Sequence, residues 1–120
     1  MIKKITSVVQ LNKILKSKRN KKKIALCHGV FDLVHPGHIR HLNTASEQGD
    51  ILVVSITSDR FVNKGPGRPV YAARLRAEIL AALEQVDHVV INDSPSAVNI
   101  ILDLCPDIYV KGKDYSVPDN

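Results

Sequence analysis

Apolar positions in this chain follow two alternating rhythms. Ile24-Ala25-Leu26-Cys27, Ile51-Leu52-Val53-Val54-Ser55-Ile56-Thr57, His88-Val89-Val90-Ile91 and Asp107-Ile108-Tyr109-Val110-Lys111 are short runs, largely apolar and rich in β-branched residues. They read as strands buried in a sheet interior. Between them apolar residues recur three and four apart, the spacing of an amphipathic helix. One helix is predicted over 37–47, ending before Gly49. A second covers 71–83, with Leu75, Ile79 and Leu83 on the face expected to meet the core. A third covers 95–104, with Pro95 in its first turn. Ahead of the first strand, Ser7-Val8-Val9-Gln10 fits a capping box, and Val8, Leu11 and Leu15 predict a helix to about Ser17. Gly65-Pro66-Gly67 and Pro69 exclude regular structure from residues 58–69.

The order is α, then β-α-β-α-β-α-β. Short links between alternating elements predict an α/β fold: a Rossmann-like, doubly wound parallel sheet with right-handed crossovers and helices on both faces. Ligands of such sheets bind beyond the carboxyl ends of the strands. The turn at 28–38, the loop at 58–67 and residues 112–115 all follow strand ends, so they should gather on one rim. A length of 120 residues suits one domain. The expected organisation is an N-terminal helix and basic linker over 1–23, then the α/β domain over 24–120.

Charge divides the chain. Residues 1–23 hold nine of the 17 Lys and Arg and no acid, leaving eight basic against 12 acidic residues in the remainder. The tract Lys16-Ser17-Lys18-Arg19-Asn20-Lys21-Lys22-Lys23 suits a solvated helix end whose cations complement a helix C-terminus. No aromatic residue is interleaved to stack bases, so no nucleic-acid partner is expected. No run reaches the roughly 18 apolar residues that cross a bilayer, and the start lacks the pattern of a signal peptide. Cys27 and Cys105 lie in apolar surroundings without a CxxC spacing and read as reduced core thiols of a cytoplasmic protein.

The chemistry concentrates in His28-Gly29-Val30-Phe31-Asp32-Leu33-Val34-His35-Pro36-Gly37-His38. A glycine at a strand's end meets a His-Pro-Gly-His turn at a helix's start. Free backbone N–H groups and the positive helix end meet two imidazoles there, which is chemistry for phosphate. Proline sets one φ, and Gly37 removes the side chain that would keep a ligand from the backbone. Zinc is the rival for His35 and His38, with Cys27 nearby, but no second ligand pair stands at metal-site spacing.

Gly29-Val30-Phe31-Asp32 with His35-Pro36-Gly37-His38 resembles the signature of the cytidylyltransferase-like nucleotidyltransferases, the HxGH superfamily. Gly49-Asp50, Ser58-Asp59, Arg76 and Lys111-Gly112-Lys113-Asp114-Tyr115 extend the likeness over about residues 24–115. It looks most like domains acting on glycerol phosphate or heptose phosphate, and like those fused to sugar kinases. The resemblance implies transfer of a CMP or AMP group from a nucleoside triphosphate to a phosphorylated sugar or polyol, with pyrophosphate leaving and Mg²⁺ on the triphosphate. It implies that His35 and His38 stabilise charge on the triphosphate, that Lys64 holds phosphates of both reactants, and that Arg76 grips the β- and γ-phosphates. By the same likeness Gly29, Val30, Phe31, Gly37, Lys111 and Asp114 belong to the nucleotide site, and Asp32 lies near the acceptor. Arg68 joins the phosphate site or is merely exposed, and His41 is expected on the outer face of its helix.

The family habit implies a homodimer. Family members continue to a Ser/Thr-rich helix start beyond Asn120, so a chain ending there is expected to fold but to catalyse weakly. The rivals are an adenylyltransferase of flavin or coenzyme A synthesis and a non-catalytic nucleotide-binding module. His35 stands where many of the cofactor enzymes carry Thr.

Overall fold

The computed structural model describes residues 2–63 and 65–111. Its elements are α1 (Val8–Leu15), β1 (Ile24–Gly29), α2 (Pro36–Gln48), β2 (Ile51–Thr57), α3 (Ala73–Ala81), β3 (His88–Asn92), α4 (Val98–Leu104) and β4 (Ile108–Val110), with short 3₁₀ turns at Ile2–Lys4 and Asp59–Phe61. The four strands form one parallel sheet in the order β3-β2-β1-β4. The expected Rossmann-like α/β fold is therefore present. The strand order reverses between β1 and β4, which places the crevice of such a sheet above β1.

Period-two alternation divides the core into two layers. Ala25, Cys27, Leu52, Val54, Ile56 and Val89 meet Leu42 and Ala45 of α2 and Ala77, Leu80 and Ala81 of α3. Ile24, Leu26, Ile51, Val53 and Val90 meet Leu11 and Leu15 of α1 and Ile100 and Leu104 of α4. The N-terminal helix packs on this sheet. Ser7 caps α1, Leu11 and Leu15 are fully buried, and Ile5 bridges β3.

Helix α3 departs from the sequence reading. Leu75 and Ile79 are exposed, while Arg76, Ala77, Leu80 and Ala81 face inward. Small residues let the helix lie close on the sheet, so the buried stripe reads as weakly hydrophobic and the outer one as strongly so. Helix α4 starts at Val98 because Asn92 and Asn99 side chains bond within the Ser94–Ser96 turn. It ends at Cys105, in the left-handed region at φ 51°, one residue before Pro106. Cys27 is buried as expected, whereas Cys105 is exposed; both are free.

The amino edge of a parallel sheet leaves strand N–H groups without ladder partners. Three aspartates answer this with one device. Asp50, Asp87 and Asp107 precede β2, β3 and β4. Each accepts a bond from the neighbouring strand's entry: Lys23 N–H at 2.8 Å, Leu52 N–H at 2.8 Å and Ile24 N–H at 2.7 Å. Each also donates its own N–H to the carbonyl of that same residue. Helix C-termini arrive at this edge and draw cations. Arg19 donates to Leu104 and Cys105 carbonyls at the end of α4, and Lys4 to the Leu83 carbonyl just past α3.

Replacing Asp107 by Ala should lower unfolding free energy by about 1.5–3 kcal/mol, the worth of a bond to a charged group. Urea denaturation measures it, and a change under about 0.5 kcal/mol would reduce the clamp to a bystander.

Candidate active site

The β1–α2 turn holds most of the expected residues together. His35 is the N-cap of α2. Its Nδ1 accepts from Gly37 N–H at 3.0 Å, and His38 Nδ1 accepts from His35 N–H at 3.1 Å. The His-x-x-His spacing is therefore capping-box spacing, with imidazoles in place of the usual hydroxyl and carboxylate. A nitrogen that accepts carries no proton, so each neutral ring bears its hydrogen on Nε2. The rings lie 3.9 Å apart between centroids, at the positive end of a 13-residue helix.

Phe31 supports this pair. Its ring is buried and stands 5.4 Å from that of His38. Its φ of 50° lies in the left-handed region, which costs an L-residue about 1–2 kcal/mol. Gly29 makes room for the ring: a Cβ there would come within 2.9 Å of Phe31 Cε2. Gly29 thus serves Phe31 packing in this structure.

Arg76 and Asp32 both bond within the protein, across the motif turn and the loop opposite it. Arg76 is fully buried. Its Nε donates to the Tyr71 carbonyl at 2.9 Å, Nη1 to the carbonyls of Val30 at 2.9 Å and Thr57 at 2.7 Å, and Nη2 to Asp59 Oδ1 at 2.7 Å. These four bonds tie together the motif turn, the end of β2 and the start of α3. Asp59 Oδ1 also accepts from Ala73 N–H at 2.9 Å, capping α3 from the preceding loop.

Asp32 is buried and faces the β2–α3 loop. It accepts from Val70 N–H at 2.8 Å and 2.9 Å, from Tyr71 N–H at 3.1 Å and from Arg68 Nη1 at 3.1 Å. Burial pushes its carboxyl upward, but those bonds and the Arg68 charge together hold it below the usual carboxylate value. Val30 and Gly37 lie in the same turn, and Lys111 is exposed just past β4. Lys64 and Asp114 lie outside the described residues. Sequence reasoning did not foresee that Asp59 and Thr57 complete the Arg76 tie. The available signal was an acid directly after a strand end.

Polar groups also line the α4 side of the sheet at its carboxyl end. His28 Nδ1 is 2.6 Å from Ser55 Oγ, and Nε2 is 3.4 Å from Thr57 Oγ1. Burial lowers the His28 pKa below its ordinary value, against a rise from its Ser55 bond. His41 is half-buried, not outward: its Nε2 lies 3.2 Å from the Cys27 thiol, which burial pushes up to about 12.

A cytidylyltransferase-like family match covers residues 26–119, most of the chain and all of this turn. The chain belongs to the cytidylyltransferase-like family, a family of nucleotidyltransferases. It is 47% identical over 111 residues to the bifunctional protein HldE of Campylobacter fetus, covering 91% of this chain and 24% of that protein. To HldE of Gluconobacter oxydans it is 44% identical over 115 residues, covering 93% and 24%. The chain thus spans about a quarter of the length of the curated relatives it matches. A crystal structure described as the lipopolysaccharide core biosynthesis protein from Thermoplasma volcanium GSS1 superposes with a TM-score of 0.67 at 26% identity. That match covers 73% of this chain and 72% of the other. Among the described residues no three His, Cys, Asp or Glu side chains form a metal-binding group, and no helix is long and apolar enough to cross a membrane.

Two outcomes follow. Arg76→Ala should destabilise the family fold by at least about 3 kcal/mol, since losing the donor strands buried carbonyls at roughly 1–3 kcal/mol each. A variant with parental urea midpoint and weakened triphosphate use would restore the phosphate-grip role.

The second concerns pH. Burial lowers the pKa of both His28 and His88. The unfolded chain therefore binds more protons below its ordinary histidine pKa of about 6.5. Stability should be complete above that value and fall as pH drops through the folded pKa values. His28→Asn should flatten the fall in pH-dependent denaturation, and an unaltered slope would remove His28 from the account.

Proposed function

We propose that this chain catalyses nucleotidyl transfer to a phosphorylated sugar or polyol. A phosphate oxygen of the acceptor attacks the α-phosphorus of CTP or ATP. The bond from that phosphorus to its β-bridging oxygen breaks, and pyrophosphate leaves. The observation that carries the reading is the imidazole capping box. Two rings are held through Nδ1 at a helix N-terminus, which puts imidazole chemistry beside free helix N–H groups where negative charge builds on phosphorus-bound oxygens. Positioning and charge stabilisation, not covalent chemistry, are what such a transfer needs.

Among the described residues, the carboxylates at this rim are engaged within the protein: Asp32 with the Arg68–Tyr71 segment, Asp59 with Arg76, and Asp93 with Arg60. That donor set fits a Mg²⁺ that arrives on the triphosphate as part of the substrate. Lys64, Lys111 and Asp114 keep their proposed places at the phosphates and the nucleoside.

A sugar acceptor is supported by the solved neighbour, named for lipopolysaccharide core biosynthesis. The matched relatives are called bifunctional, and this chain corresponds to a quarter of each. That supports a place beside a second activity. A sugar kinase is the chemistry that makes a phosphorylated acceptor. A cytoplasmic homodimer completes the proposal.

Pyrophosphate release with CTP and with ATP, against a panel of phosphorylated sugars and polyols, tests it. Triphosphate binding without turnover of any acceptor would leave a binding module instead. His38→Ala should lower turnover at least about a hundredfold, the usual cost of one donor to developing charge. A fully active His38→Ala protein would refute the role given to the pair.

A further inference from the structure

We infer that Arg68 is a phosphate-binding residue of this site, oriented by Asp32. The inference rests on the proposed nucleotidyl transfer. It starts from a comparison of the arginines at this rim: Arg76 is buried, with four of its five N–H donors given to Tyr71, Val30, Thr57 and Asp59. The other arginines of this rim differ in how they are held. Arg60 gives Nε and Nη2 to the two oxygens of Asp93, a fork already filled. Arg74 stands 3.9 Å from Glu78 on the outer surface of α3. Arg68 is tied to the motif turn itself.

That tie leaves chemistry to spare. Among the described residues, Arg68 makes one side-chain bond, from Nη1 to Asp32 Oδ2 at 3.1 Å, and its side chain is 38% exposed. Asp32 is three residues from His35 in the same turn. Its carboxylate is also met by the N–H groups of Val70 and Tyr71. Those backbone bonds share the carboxylate's charge and fix the chain on the C-terminal side of Arg68. A planar guanidinium held at one edge retains fixed direction for its remaining N–H donors, which suit two oxygens of one phosphoryl group. On the N-terminal side, Gly65 and Gly67 take φ of 98° and 77°, and a Cβ at either would meet nothing within 4 Å. Among the described residues, nothing therefore crowds the positions of Gly65 and Gly67 beside Arg68. The ligand is a phosphoryl group, from either the triphosphate or the phosphorylated acceptor.

The test measures dissociation constants by calorimetry for ATP, pyrophosphate and inorganic phosphate, and Michaelis constants for triphosphate and acceptor, in the parent and in Arg68→Ala and Arg68→Lys. Arg68→Ala should raise the affected constants at least about tenfold, the scale of one charge-assisted bond. Its urea midpoint should stay near the parent's, because Val70 and Tyr71 still hold Asp32. Lys should recover only part of the loss, since it lacks the planar fork. A rise for ATP and pyrophosphate assigns Arg68 to the triphosphate, and a rise for inorganic phosphate and the acceptor assigns it to the acceptor. Constants within about twofold of parental for every probe overturn the inference. So does a loss that merely tracks a lowered urea midpoint, or a parent that binds no probe. If the Ala variant does not fold, Arg68→Gln, which keeps an N–H for Asp32 without the charge, is read by the same constants. Weakened binding in a protein that turns over no acceptor would sink the proposed reaction and keep Arg68. Turnover with unchanged constants does the reverse.

Discussion

The buried guanidinium of Arg76 is the constraint on which the carboxyl rim depends. Three segments end there with carbonyls that accept from it: Val30 after β1, Thr57 at the end of β2 and Tyr71 before α3. One planar cation with several donors reaches all of them and then Asp59, which itself caps α3. A lysine offers a point charge without that fork. Burying a cation is costly unless its donors are satisfied, and here the satisfied donors set the spacing between the motif turn and the loop opposite it. Asp32 makes a second tie between the same two segments, from the turn to Val70 and Tyr71.

The two edges of the sheet divide the electrostatics. Helices run opposite to strands in a doubly wound fold, so their positive ends face the carboxyl rim and their negative ends the amino rim. At the carboxyl rim, α2 presents its N-terminus beneath two imidazoles. At the amino rim, Arg19 and Lys4 meet the ends of α4 and α3. Three aspartates there close the entries of the strands. The basic N-terminal tract thus has a structural task for part of its charge, far along the strands from the histidines.

The histidine pair joins local structure to chemistry. Capping a helix and orienting a donor are usually the work of different groups. Here Nδ1 of each ring meets the backbone, which settles the tautomer of the neutral ring with its hydrogen on Nε2. The left-handed Phe31 and the small Gly29 hold the ring of His38 from beneath. The packed ring and the Arg76 tie offset the left-handed backbone of Phe31 in this turn.

Local order determined most of the architecture. Strands β1 to β4, helix α2 and the turn between β1 and α2 were legible because hydrophobic period and punctuation act over a few residues. So was the grouping of the histidines, since a capping box spans only three. What the chain could not disclose were contacts whose partners lie far apart in sequence. Leu75 and Ile79 carry the stronger apolar stripe, yet the small side chains Ala77 and Ala81 face the sheet, because close approach of helix and sheet outweighs hydrophobicity. Arg76 and Asp32 look like ligands when only residue type and motif position are known. Tertiary structure alone decides that one binds carbonyls 19 and 46 residues away and the other a loop 38 residues on. A charged group goes to whichever partner the fold brings within hydrogen-bonding reach, and that partner is set by how the strands and helices pack.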